Sequence, residues 1–480
     1  MAGDIEQCPS EAPGHGETIA DDLFREKDAY VSGGAVEIET PPIARGRVAA
    51  ELPIERAPGF ARDDARATGA TGSSLALQNL RGIAVLSLMG FHSVLPYLWS
   101  ARSVVGRFDQ PPFTWRAFPV IDAHFWFGFD LFSAWQDVYL MALMFFLSGV
   151  FAWPSLVRKG SRRFLHDRWL RLGAPFVAGL ILVVPLALYP AYLFATPEPG
   201  LFDYVRRFLA LPLWPNGPLW FLWLLLVFTM ALAAIHRFAP GAISWLARAS
   251  SRAGERPGRY FLGLTAAAAL AYVPLALAYT PWTWAERGPL TLQLSRPLLY
   301  GVYFFAGLGV GAHGLERGLL ALDGGLARRW SLWFAAALAS LLLWMGLTGA
   351  ALYYPGEAPA TLLIVSYASY ALAGAASFLF VTAASLRFAA VRSRALDVFS
   401  RNALGIYVLH YAPLVWLQYA VLDLPLFAFV KVAIVLCGTL ALSISATVAL
   451  RSTRIGARLI GEEPPAAAKA SSSAAGFPAR

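Results

Sequence analysis

Charge is scarce in this chain of 480 residues: Asp, Glu, Lys and Arg make up 14% of it, where a soluble protein carries about a quarter. That shortage excludes an ordinary water-soluble enzyme. Cysteine is scarcer still. Cys8 lies in a polar stretch and Cys437 inside an apolar run, so neither a disulfide framework nor a thiolate metal site is available. The chain has no fixed-period repeat, no Gly-rich phosphate loop, no His-Glu-x-x-His and no metal-spaced Cys/His cluster. Neither a metal nor a permanently bound cofactor is therefore expected.

What fills the chain instead is apolar. Hydrophobic residues make up 57% and the mean hydropathy is +0.54. A hydrocarbon core of about 30 Å needs roughly 20 apolar residues per helix. Ten such runs can be read, at about 80–100, 131–153, 172–195, 217–236, 260–280, 297–314, 329–351, 361–385, 401–422 and 425–449. They are long and continuous, unlike the alternating ten-residue segments of a membrane β-barrel. The expected fold is an all-α integral membrane protein of about ten transmembrane helices.

The little charge there is splits by position. Residues 1–75 hold 14 acidic and 7 basic side chains in a Gly, Pro and Ala background with no apolar period. That stretch reads as a disordered acidic tail, and no signal peptide precedes the first apolar run. Residues 76–450 form the membrane domain and 451–480 a short second tail. Eighteen Lys and Arg fall in the loops after the even runs and seven in those after the odd ones. Because positive charge is retained inside, both termini are expected in the cytoplasm of a bacterial-type inner membrane. The basic balance is a topology signal and no nucleic-acid partner is expected.

Function is sought among the ionisable groups inside the runs, each costing at least about 2.5 kcal/mol at mid-bilayer. In LQNLRGIAVLSLMGFHSVLPYL, Arg81 and His92 are 11 residues apart. On a helix that returns to nearly the same face, about 16 Å further along. A cation at the entrance can hold an anionic group while a neutral imidazole deeper down acts as general base. The alternative is an anchoring arginine and a core histidine.

Asp130 and Asp137 share a face of the second run. Asp137 is read either as the group that orients His92 or binds an acceptor hydroxyl, or as a partner for a buried cation; Asp130 is read as a rim residue or a substrate contact. Arg168 and Arg171 stand at the mouth of the third run, where they anchor it or grip phosphates. Tyr407 and His410 lie at i, i+3 in the ninth run, as site lining or helix contact. Trp214, Trp220 and Trp223 suit an interface anchor or a sugar contact; Trp115, Trp126, Trp282 and Trp284 in outer loops suit an aromatic sugar platform.

The segment from Leu80 to His92 resembles the opening helix of the acyltransferase-3 family of integral membrane acyltransferases, whose mark is Arg, ten residues, then His. Further likenesses follow in order: FFLSGVF at 145–151, FLHDRWLRLGAPF at 164–176, GPLWFL at 217–222, YFFAGLGVG at 303–311 and ALGIYVLH at 403–410. The phrases FHSVLPY, AWQDV and GPLWFLW resemble the branch that includes the glucans biosynthesis protein C group. The resemblance implies acyl transfer from cytoplasmic acyl-CoA, as cosubstrate, to a hydroxyl of a carbohydrate at the outer side. It casts His92 as catalytic base and places Arg81, Arg168 and Arg171 against the donor. Family members often carry an acid shortly before the Arg; here Gln78 stands in that region. Two other classes fit the composition: a transporter or flippase, and a lipid-linked glycosyltransferase using Asp122 or Asp130 with a divalent ion.

Overall fold

The computed structural model describes residues 72–102, 107–111, 113–285 and 288–462; the expected tails, at 1–71 and 463–480, lie outside the described residues. Within the described residues the chain is all but wholly helical. The first half holds α1 (Gly72–Val94), α2 (Phe127–Lys159), α3 (Ser161–Arg168), α4 (Ala174–Ala178), α5 (Val184–Ala195), α6 (Leu201–Leu209), α7 (Trp220–Phe238), α8 (Pro240–Ser251) and α9 (Pro257–Tyr279). The second half holds α10 (Pro297–His313), α11 (Gly325–Arg328), α12 (Trp330–Leu352), α13 (Ala360–Phe388), α14 (Arg394–Arg401), α15 (Ala403–Leu409), α16 (Tyr411–Ala420), α17 (Ala428–Arg451) and α18 (Arg454–Leu459). A two-residue hairpin, β1 (Trp284–Ala285) with β2 (Leu292–Gln293), is the strand content among the described residues.

Among the described residues eight helical segments are long and apolar enough to cross a membrane, and a ninth if Pro297–His313 and Gly318–Arg328, bent by 86°, count as one. The run read at 401–422 is not among them, because it divides at His410 into α15 and α16. Pro413 explains the break, since it has no N–H for the carbonyl of Leu409. The neighbouring bonds, His410 N–H to Ile406 O and Leu414 N–H to His410 O, remain.

Proline shapes the third span as well. Ser161–Ala195 is continuous, but Trp169–Gly173 and Gly179–Val183 are π-helical. Each widened turn lies just before a proline, Pro175 or Pro185, whose ring would otherwise crowd the carbonyl four residues back.

Glycine sets the tightest seam. A Cβ on Gly149 of α2 would come within 2.0 Å of Phe304 O, and one on Gly307 or Gly311 of α10 within 2.1 Å of Phe146 O or Val150 O. With lipid as solvent, helices gain little from hiding apolar surface, and close backbone approach through small residues brings the packing energy. FFLSGVF and YFFAGLGVG are therefore the two halves of one contact. At the periphery the pattern reverses: α12 buries Trp333, Ala337 and Ser340, a single i, i+4, i+7 stripe, and turns Leu332, Leu338, Leu342, Leu343 and Leu352 outward.

The short α6 is amphipathic. Tyr204 and Phe208 face the core, while Leu201, Phe202, Val205 and Leu209 are exposed. Arg206, Tyr192 and Arg207 hydrogen-bond Asp203 and hold its carboxyl down to about 2. Arg207 also reaches Asp109 at 3.0 Å, tying the loop after α1 to this helix.

Gly307→Val should lower stability in detergent by about 1–3 kcal/mol, as overpacking of a filled contact does. Gly263→Ala, at an open position, should leave it unchanged. Thermal unfolding of the two purified variants checks this, and equal melting temperatures would refute the seam.

Candidate active site

The site is built where α1 ends. The helix runs from Gly72 to Val94, earlier than the apolar run at 80–100, so His92 lies two residues from its end, beside the loop that carries Trp99. Arg81 lies 11 residues back, about 16 Å toward the other end. Pro96, four residues past His92, has no N–H for the His92 carbonyl. Gln418 of α16 supplies the missing donor, its Nε2 bonding His92 O at 2.8 Å. The local break that ends α1 thus fastens it to α16.

That fastening brings two imidazoles together. The rings of His92 and His410 have centroids 5.2 Å apart. His92 Nδ1 lies 3.0 Å from Leu88 O, and His410 Nδ1 lies 2.7 Å from Tyr407 O. A carbonyl accepts only, so both Nδ1 atoms carry the proton and both Nε2 atoms are lone pairs. His410 is fully buried and its Nε2 has no hydrogen-bond partner among the described residues. Tyr407, whose ring lies 5.8 Å from that of His410, donates its hydroxyl to Pro218 O. The positive φ of Gly217 sets that turn against the Tyr411 ring, so ALGIYVLH docks on GPLWFL.

Asp137 does not reach either imidazole. Its carboxylate is held by Arg296 through two bonds of 2.6 and 2.8 Å, and its backbone carbonyl accepts from Tyr370. Arg296 is buried with its guanidinium 5.3 Å from the Tyr370 ring. Of the two roles read for Asp137, the structure shows the partner of a buried cation, because the guanidinium fork offers the carboxylate two charge-assisted bonds. Trp220 stacks on Tyr300, a neighbour of that pair, and lines a narrow cleft with Trp284 and Gln293.

The outer carboxylates are also engaged. Asp130 accepts from the backbone N–H groups of Trp99 and Ser100 at 2.8 and 3.0 Å. Asp122 pairs with Lys431 at 2.7 Å, both side chains almost wholly buried. The carboxylates considered for a divalent ion are thus already partnered by protein. Trp115 is no sugar platform, being buried with Nε1 bonded to Phe108 O. Trp126 and Trp282 are exposed.

At the other end, Arg81 is exposed and has Glu462 and Arg171 as charged neighbours. Arg168 lies by Arg171 and Asp167, over the Phe164 ring. Three arginines from two spans therefore gather there. The carboxylate that Gln78 lacks is supplied from elsewhere: Gln78 Nε2 bonds Asp397 of α14 at 3.1 Å. Asp397 lies with Arg392, Arg394 and Arg401 in a cleft of about 540 Å³. The sequence counted these arginines as a topology signal; a contact 319 residues apart in the chain carries no local mark.

A family model described as an acyltransferase domain, the third of that name, matches residues 74–448. No curated protein and no solved structure matches.

Asp137→Asn should cost about 3–5 kcal/mol of stability, since it leaves the Arg296 charge buried without its partner. The double variant Asp137→Leu/Arg296→Met should recover much of that loss. Thermal unfolding of the three proteins checks it; additive losses would refute the pairing.

Proposed function

This chain belongs to the acyltransferase-3 family and is a membrane acyltransferase, and from that premise we propose that it moves a small acyl group, of the acetyl or succinyl class, from cytoplasmic acyl-CoA to a hydroxyl of a periplasmic or cell-surface carbohydrate. A glucan is the favoured acceptor, on the likeness of FHSVLPY, AWQDV and GPLWFLW to the glucans biosynthesis protein C branch. The protein then sits in a bacterial-type inner membrane with both ends of the chain in the cytoplasm, as the eighteen-to-seven distribution of basic residues supports.

The observation that carries the reading is the His92 ring, with Nδ1–H fixed to Leu88 O and its other nitrogen a lone pair. The donor approaches from the end with Arg81, Arg168 and Arg171, whose guanidinium groups bind phosphate oxygens as bidentate donors. Arg392, Arg394 and Arg401 add positive charge beside the same end of α1. The pantetheine arm lies along α1 and brings the thioester to His92. The acceptor enters from the side of the Trp99 loop. His92 Nε2 takes the hydroxyl proton, the oxygen attacks the thioester carbonyl, and the C–S bond breaks as the proton passes to the leaving thiolate. Asp130, Trp220, Tyr407 and His410 are assigned to holding the acceptor, Trp220 through its ring and His410 through Nε2.

His92→Ala in membranes supplied with radiolabelled acetyl-CoA or succinyl-CoA and a linear glucan oligosaccharide should lower kcat by about 10²–10⁴-fold, the usual contribution of a general base. An undiminished rate in a folded variant would sink the assignment. Arg81→Ala should instead raise the KM for the donor about tenfold with kcat little changed, as loss of uniform binding does. A fall in kcat at constant KM would speak against the donor role.

A further inference from the structure

We propose that the arginine-lined cleft at α14 is a subsite for the 3′-phosphate of the coenzyme A donor, with Arg394 as its principal ligand and Arg392 and Arg401 beside it. The inference rests on the reading of acyl-CoA as the donor.

The cleft is built by the helix that carries His92. Gln78 of α1 donates Nε2 to Asp397 at 3.1 Å, and the next residue, Asn79, donates Nδ2 to Ala389 O and Val391 O at 2.7 and 2.8 Å. Those bonds pin both α14 and the loop that leads into Arg392. Gly82 lets the two helices touch, since a Cβ there would come within 2.9 Å of Leu396 O. The space lined by Arg392, Arg394, Asp397, Val398 and Arg401 is about 540 Å³, inside the roughly 300–1,000 Å³ of ligand sites.

Its charge is unbalanced. One carboxylate, Asp397, faces three arginines. Arg392 spends its Nε on that carboxylate at 3.1 Å, and Arg401 stands 4.0 Å from it. Arg394 has no carboxylate partner among the described residues. The Asp397 side chain is 11% exposed, while those of Arg392 and Arg401 are 62% and 56% exposed. The acid therefore lies beneath and orients the arginines, whose outer N–H groups remain for a ligand. A phosphate monoester carries nearly two negative charges at neutral pH and three acceptor oxygens, which matches that surplus better than a singly charged diester.

The spacing fits the donor. The pantetheine arm has about 13 bonds in line from phosphorus to sulfur, and at roughly 1.2 Å of reach per bond it spans about 16 Å. That equals the rise from Arg81 to His92, so a thioester at His92 places the pyrophosphate by Arg81, Arg168 and Arg171. The 3′-phosphorus lies about six bonds further through the ribose, roughly 7 Å at full reach. Gln78, which holds Asp397, is three residues back from Arg81, a rise of about 4.5 Å. The remaining reach is sideways, into the cleft. The donor's phosphates thus divide between two arginine groups, the pyrophosphate at one and the 3′-monoester at the other.

The test uses full-length protein in phosphatidylcholine nanodiscs with acetyl-CoA, acetyl-3′-dephospho-CoA and a linear glucan oligosaccharide. In the wild type, loss of the 3′-phosphate should raise the donor KM about 10–30-fold with kcat within about twofold, as loss of uniform binding does. Arg394→Ala should raise the KM for acetyl-CoA about tenfold and leave that for the dephospho donor unchanged. Arg394→Lys should recover part of the loss. Equal KM values for the two donors in the wild type, or an equal rise for both in Arg394→Ala, would overturn the proposal. So would an Arg394→Ala effect that appears only when phosphatidylglycerol is added, since the cleft would then hold a lipid headgroup.

Absence of wild-type turnover would count against the proposed acyl group and acceptor, and binding then judges the subsite. Calorimetric titration with CoA and 3′-dephospho-CoA should show the same preference, lost in Arg394→Ala. CoA that binds without that preference, or does not bind, refutes it.

Discussion

In an apolar interior no water stands ready to satisfy a polar group, and everything distinctive in this structure follows from that requirement. Asp137 is gripped by Arg296 with two bonds, Asp122 by Lys431, and Asp130 by two backbone N–H groups. The same rule governs the backbone. Where Pro96 withholds an N–H from the His92 carbonyl, Gln418 reaches across from another helix to provide one. A local fault in hydrogen bonding thereby becomes a long-range contact, and that contact brings α16 to the end of α1.

The family motifs take on physical meaning in pairs. FFLSGVF and YFFAGLGVG meet at the glycine seam of α2 and α10, while GPLWFL and ALGIYVLH meet where Tyr407 bonds Pro218 O and Gly217 makes room for Tyr411. Each motif looks weak alone because half of its reason lies in another part of the chain. Small residues admit the partner backbone, and the partner supplies the atom that makes the small residue necessary.

Much of the fold was legible because burial in lipid leaves a plain signature: about twenty apolar residues with little charge. The exceptions came from proline. The run at 401–422 is apolar enough but divides at His410, and the third span widens into π-turns before Pro175 and Pro185, changes that hydropathy does not register. The site was legible along one helix and obscure between helices. Arg81 and His92 could be paired by period, since both belong to α1. The partner of Asp137 is 159 residues away, and Asp397 lies 319 residues from Gln78. The sequence gives Asp137 two equally natural roles, and the choice between them depends on where Arg296 lands. His410 was similarly ambiguous, because a helix-contact histidine and a site histidine look the same in sequence.

The demand for partners also bears on which side chain can react inside such a bundle. An Asp, Arg or Lys at depth is charged under ordinary conditions and must be neutralised by a neighbour, which ties up the lone pairs or protons that chemistry would use. Asp122, Asp137, Lys431 and Arg296 illustrate the outcome: each is paired. Histidine escapes the constraint, since the imidazole enters neutral and needs one carbonyl for its Nδ1–H, which the helix it stands on provides. The second nitrogen then remains a base at little cost while the site is at rest.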